Sequence, residues 1–127
     1  MKLLSFLLLI LMYNTFYSHS PKIYEGDRYE SNTKYIKAHI ILNKEDSLYV
    51  YNSWSHTGLN VIDSGTWRYR CDMLIFNSSK SYTRNTKSKK KVPKLRPALF
   101  TNSCFIFNGD SIIQESNYTN YVFKRVK

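Results

Sequence analysis

The side chains able to do chemistry in this chain are few and scattered. Beyond the first twenty residues the only histidines are His39 and His56. Neither has other histidines, cysteines or carboxylates at the spacing of a zinc site, so surface or half-buried histidine is the simpler reading, with a cross-strand site using both as the alternative. Asp63 and Asp72 flank the run around Gly65 and Trp67 and could face one another, as turn aspartates often do. No Gly-x-Ser-x-Gly, His-Glu-x-x-His or phosphate-loop pattern occurs. The sequence therefore assigns no catalytic residue, metal ligand or cofactor, and an enzyme would have to assemble its constellation through the fold. Cys71 and Cys104 stand 33 residues apart. In an oxidising compartment they would close a disulfide worth about 3 to 4 kcal/mol if unstrained. The other reading is a pair of buried apolar thiols on different strands.

Aromatic side chains are the more abundant resource, with eleven tyrosines, seven phenylalanines and two tryptophans. Tyr49, Tyr51 and Tyr69, with Trp54 and Trp67, are the candidate ligand-binding set, because ring faces and hydroxyls suit an amphipathic ligand. Tyr118 and Tyr121 could join these tyrosines in a cross-strand ladder or in lining a cavity. The plainer reading is that these residues finish the face of a half-buried sheet.

Charge is concentrated in one segment. The formal charge is +10, and the stretch from Lys80 to Arg96 holds eight cations (Lys80, Arg84, Lys87, Lys89, Lys90, Lys91, Lys94, Arg96) and no acid. Residues 21–79 and 97–127 together sum to +1. As a functional element the segment is an arm for a polyanion, with an anionic envelope surface ahead of nucleic acid, because Tyr82 is its only aromatic and base stacking needs more. As a structural element it is a solvated, self-repelling loop that guards a sheet edge, and this is the simpler reading.

The elements that must position these residues read as strands. Glycine and alanine are scarce, and inward positions alternate at Ile36, Ala38, Ile40 and Leu42, with Ile41 breaking the pattern. A polar turn, Asn43 to Ser47, joins this run to Leu48 to Trp54. After a loop at residues 55–60 come Thr66 to Arg70 and Met73 to Phe76. The second is apolar on both faces, which predicts cover on both sides or an interface. Asn108-Gly109-Asp110 joins Leu99 to Phe107 and Ser111 to Gln114 as a hairpin, and Tyr118 to Val126 ends the chain. No capped amphipathic helix, repeat or linker appears. The expectation is an all-β single domain, an antiparallel up-and-down barrel or twisted meander of about eight strands over residues 21–127. The basic loop at residues 80–96 is expected to be floppy, between strands five and six.

Residues 1–20 read as a signal peptide. Lys2 is followed by an apolar run from Leu3 to Met12, and Ser18-His19-Ser20 supplies small residues for cleavage. Pro21 disfavours that cut, so an uncleaved anchor is the alternative. The run is about half the ~20 residues of a spanning helix, and no later stretch comes closer. The rest of the chain is expected to be soluble and exported, periplasmic or extracellular.

The run from Ser64 to Asn77, with Gly65-Thr66-Trp67 entering a strand and Asp72-Met73-Leu74-Ile75-Phe76 pairing back, is similar to a pattern in small exported lipocalin-like β-barrel proteins. Gly26-x-x-Tyr29 and the ending Tyr121 to Lys127 resemble the first and last strands of such proteins. In true lipocalins the Gly-x-Trp lies in the first barrel strand, whereas here it falls in the fourth. The resemblance implies a barrel whose tryptophan closes one end of the core, with Arg125 covering Trp67 or Tyr29. It assigns no function. The expectation carried forward is a non-enzymatic binding or envelope-associated module. It would hold an amphipathic small molecule in the barrel mouth or a polyanion on the basic loop. A small hydrolase or inhibitor with its active loop between strands is the competing reading.

Overall fold

A computed structural model of the chain describes residues 26–87, 92–115 and 120–127. The expected leader, Lys89, Lys90, Lys91 and Tyr118 lie outside the described residues. Nine strands follow one another: β1 (Asp27–Asn32), β2 (Ile36–Asn43), β3 (Leu48–Ser55), β4 (Leu59–Arg70), β5 (Met73–Asn85), β6 (Lys94–Leu95), β7 (Ser103–Phe107), β8 (Ser111–Gln114) and β9 (Tyr121–Arg125). Each barrel strand pairs antiparallel with the next, β9 returns to β1, and β4 joins β5, so eight strands close an up-and-down barrel with β6 attached to the far half of β5. Among the described residues no helix is long and apolar enough to cross a membrane.

Closure depends on a bend in the two longest strands. Between Ser64 and Gly65 the register of β4 on β5 shifts, since Ser64 faces Lys80 while Gly65 faces Ser78. A Cβ on Gly65 would fall 1.9 Å from the Asn77 carbonyl oxygen, so only glycine admits this approach. Inward positions then follow the period of two. Tyr29, Ile40, Leu42, Tyr49, Leu74, Phe76, Phe105, Ile112 and Phe123 form the core.

Four expectations are corrected. Within the chain the apolar run Met73 to Phe76 is fully covered on one face only: Leu74 and Phe76 are buried, while Met73 and Ile75 are half-buried on the outer wall. The strand expected from Leu99 begins at Ser103, and the connection before it turns inward so that Phe100 packs on Tyr49, Tyr51, Phe76 and Phe105. The basic segment is a floppy loop in neither flank: β5 runs on to Asn85, and Tyr82 and Thr83 pair with Leu95 and Lys94 of β6. Finally, Cys71 and Cys104 are free and exposed rather than bridged or buried. Cys104 stands opposite Ile75, four residues along from the turn that holds Cys71. At ~3.3 Å per residue that puts their Cα atoms roughly 10 Å or more apart, beyond the ~7 Å a disulfide spans.

Candidate functional site

The alternating strand directions give the barrel two unlike ends. One holds the β2–β3, β4–β5 and β7–β8 turns and is closed. The Trp67 indole N–H donates to the carbonyls of Asn43 (3.1 Å) and Leu48 (3.0 Å), which seals the β2–β3 turn against β4. The Tyr29 hydroxyl donates to the Gly109 carbonyl at 2.8 Å, and Arg125 pairs with Asp27 at 2.9 Å. Arg125 stands across from Tyr29 in the register, so of the two aromatic neighbours expected for it, Tyr29 is the one it meets. Tyr69 is exposed at this end, its hydroxyl donating to Asp72 at 2.7 Å.

The other end holds the β1–β2 and β3–β4 turns and the β5–β6 hairpin, and it is open. The cause is visible in the register. Ser31, Ala38 and Ser53 stand side by side on β1, β2 and β3, a row of small inward residues directly above the large row of Tyr29, Ile40 and Tyr51. The missing side-chain volume is a cavity of about 190 Å³, lined by Ser31, Thr33, Ile36, Ala38, Tyr51, Gln114, Tyr121 and Phe123. Of the five aromatic residues singled out in the sequence, only Tyr51 lines this space. Trp67 and Tyr69 are at the opposite end, and Tyr49 is in the core. Trp54 faces Lys37 on the outer wall, where its ring meets His39 at 5.1 Å and borders a notch of about 200 Å³ with Tyr35 and His56. Tyr121, grouped with these tyrosines in the sequence, also lines the space, whereas sequence reasoning passed over Ser31, Thr33 and Gln114. The signal was there in the small residues at inward positions, but their alignment across three strands exists only in the register.

Beneath the cavity lies a buried polar cluster. Asp63 is fully buried, and its carboxyl oxygens accept hydrogen bonds from the hydroxyls of Tyr49, Ser78 and Ser81, that of Ser78 at 2.6 Å. The two serines accept in turn from the backbone N–H groups of Phe100 (2.9 Å) and Leu99 (3.3 Å). Asp63 thus anchors the segment that carries the chain from β6 across the barrel to β7. Burial, reinforced by the bond to Asp63, pushes the Tyr49 hydroxyl far above the ordinary tyrosine range, so it serves as a fixed donor. Asp72, in the β4–β5 turn, is remote from this cluster, so the two aspartates do not face each other.

The basic segment is sorted by the same register. Lys80 and Arg84 face Ser64 and Asn60 on the outer wall. Lys94 faces Thr83, and the Arg96 N–H donates to the Ser81 carbonyl at 3.0 Å, which extends the pairing one residue past β6. Thr83 and Ser81 continue the inward rows of Val61 and Asp63, so Lys94 and Arg96 lie on the face turned toward the mouth. Burial raises the Tyr51 hydroxyl; Asp63 and Tyr121 raise it further, while a hydrogen bond with Ser53 and the charge of Arg96 ease it. Arg96, Tyr51 and Tyr121 therefore share one neighbourhood.

His39 lies on the outer wall, with Arg28 Nη2 3.4 Å from its Nδ1. Burial, then Arg28, holds the imidazole below its ordinary pKa, against an opposing effect of Glu30. His56 borders the outer notch, where no carboxylate joins it. Among the described residues no three His, Cys, Asp or Glu side chains converge as a metal site requires. No protein-family model, curated protein or solved structure matches the chain.

Proposed function

We propose that this is a non-enzymatic binding protein that takes the apolar part of a small amphipathic molecule into the mouth of its barrel. The observation that carries this reading is the cavity of about 190 Å³ above Tyr51, created by the small row Ser31, Ala38 and Ser53. A cavity of ~150 Å³ takes one benzene ring, and drug-sized pockets begin near ~300 Å³, so the ligand body is about one ring or a short aliphatic chain. Ile36, Ala38 and Phe123 supply the apolar wall, while Ser31, Thr33, Gln114 and the tyrosine hydroxyls supply polar contacts. Arg96 and Lys94, on the face turned toward the mouth, favour an acidic head group over a neutral one.

The test is titration with hexanoate and with hexanol, followed by NMR of the backbone amides. Both probes should shift the amides of Ala38, Tyr51 and Tyr121, hexanoate at lower concentration. Ala38→Phe, which fills the cavity, should abolish both responses while leaving the rest of the spectrum in place. If neither probe perturbs these amides at millimolar concentration, the reading is wrong.

A further inference from the structure

We propose that the open rim of the barrel is a docking surface for an anionic lipid bilayer. The three connections at this end are fastened to one another. The His56 N–H donates to the Tyr35 carbonyl at 3.0 Å and their rings meet at 5.3 Å, joining the β1–β2 and β3–β4 turns. The Thr86 N–H donates to the Gly58 carbonyl at 2.8 Å and Lys87 Nζ to the His56 carbonyl at 3.0 Å, joining the β3–β4 turn to the β5–β6 hairpin. Gly58 has φ +91°, and a Cβ there would lie 2.7 Å from the Lys87 stem, so glycine permits this seam. The rim is thus a built surface rather than three separate loops.

Its composition is that of a membrane interface. Tyr35, Ile36, Trp54, Leu59, Val92 and Leu95 all expose large apolar side chains here, Tyr35 to 55% and Leu95 to 76%. Exposed apolar groups concentrated at one end mark a contact surface, and tryptophan and tyrosine favour the head-group level of a bilayer. Interleaved with them are Lys34, Lys37 and Lys94, long side chains able to lay their stems on apolar surface while the ammonium groups reach phosphate. Lys34 Nζ sits 5.3 Å from the Tyr35 ring centre. Glu115 and Glu30 are the carboxylates nearest this rim among the described residues, and Glu30 is paired with Arg28. A polyanion with no apolar phase, such as nucleic acid or an acidic polysaccharide, would use the cations and leave six apolar side chains in water, so the bilayer is the better match. Ile36 and Lys94 belong to both the rim and the mouth, but Tyr35, Trp54, Leu59, Val92, Leu95, Lys34 and Lys37 do not line the mouth cavity, so the inference holds whether or not that cavity binds a ligand.

The two tryptophans lie at opposite ends of the barrel and make the test directional. The purified full chain is mixed with vesicles of phosphatidylcholine alone, and with vesicles holding 30% phosphatidylglycerol, with and without brominated acyl chains. All variants carry the same apolar N-terminal run, so differences between variants and compositions read the rim. Anionic vesicles should bind more tightly than neutral ones. Brominated chains should quench fluorescence in Trp67→Phe, which keeps Trp54, and leave it unchanged in Trp54→Phe, which keeps Trp67. Changing Lys34, Lys37 and Lys94 together to serine should weaken anionic binding on the order of a hundred-fold, at roughly five-fold per charge. Tyr35→Ser with Leu95→Ser, both exposed, should reduce quenching with the circular dichroism spectrum unaltered. The proposal is overturned if anionic vesicles gain nothing over neutral ones at low salt, or if Trp67 is the quenched ring. It is equally overturned if heparin displaces a complex in which neither tryptophan is quenched, since the contact is then one of charge alone.

Discussion

At the closed end of the barrel a tryptophan is spent on sealing the core, whereas at the open end a tryptophan is left on the surface. Trp67 lies inside the strand row and gives its N–H to two backbone carbonyls; Trp54, one row outside, is 39% exposed. Charge divides in the same way. Five of the nine carboxylates of the chain, Asp27, Glu45, Asp46, Asp72 and Asp110, stand at the closed end, and cations dominate the turns of the open end. One end is thus organised for stability, with ion pairs and a sealed core, and the hollow it carries is an open groove of about 220 Å³ beside Asp27 and Lys44. The other gives up packing at the Ser31, Ala38 and Ser53 row and keeps apolar groups in water. A barrel needs only one such plug and a well-packed middle to fold, which frees its other end for contact with ligand or surface.

The sharpest way to break this comparison is to remove the group on which the open end rests. Asp63→Ala removes the carboxylate that accepts from the hydroxyls of Tyr49, Ser78 and Ser81, leaving among them only the 3.2 Å Tyr49–Ser78 contact, and frees the two serines that hold Leu99 and Phe100. The expected loss is about 4 kcal/mol in urea unfolding, because each orphaned buried group costs roughly 1 to 3 kcal/mol. A loss under about 1 kcal/mol would show that the cluster is incidental. The tryptophans give a paired measurement of smaller size. Trp67→Ala should cost roughly 3 kcal/mol, and Trp54→Ala no more than about 0.5 kcal/mol, in the same denaturation experiment. Equal effects would erase the distinction between the ends.

How much of this could be read before the fold was known follows from what each feature depends on. Alternation at Ile36 to Leu42 and Leu48 to Trp54 and the Asn108-Gly109 turn are local, and they gave the strands, the all-β class and the barrel. The plug at Trp67 was legible through the resemblance of its Gly-x-Trp run, because a tryptophan closing a barrel core has few substitutes. The mouth was not legible, since it depends on Ser31, Ala38 and Ser53 being level across strands, and a one-residue change of register would separate them. Asp63 looked like a turn residue because a strand interior is an uncommon place for a carboxylate. Its three hydroxyl donors come from positions 14 to 18 residues away. The basic segment misled by composition: its charge suggested a solvated loop, yet pairing continues through Lys80 and Arg84, whose backbones continue the β4–β5 ladder opposite Ser64 and Asn60 with both side chains on the outer wall.

The smallest expected effect separates the two ends by pH. Burial alone would push the Asp27 carboxyl up, but hydrogen bonds and charge from Lys44 and Arg125 outweigh it and hold the group below its ordinary value. A carboxyl whose pKa is lowered by folding contributes stability that is fully present above about pH 4, the unfolded value, and is lost as pH falls through the folded one. The pairs to Lys44 (3.2 Å) and Arg125 (2.9 Å) are partly exposed, so the contribution is under about 1 kcal/mol. Urea midpoints at pH 6 and pH 3 should therefore lie closer together in Asp27→Asn than in the parent chain. Amide exchange should show the acid loosening first at Asp27, Gly109 and Arg125, with the Tyr35 to Gly58 rim unchanged, because the rim's seams are backbone carbonyl bonds with no carboxylate in them. If the rim loosens together with the closed end, Asp27 does not hold that end independently and the two ends unfold as one unit.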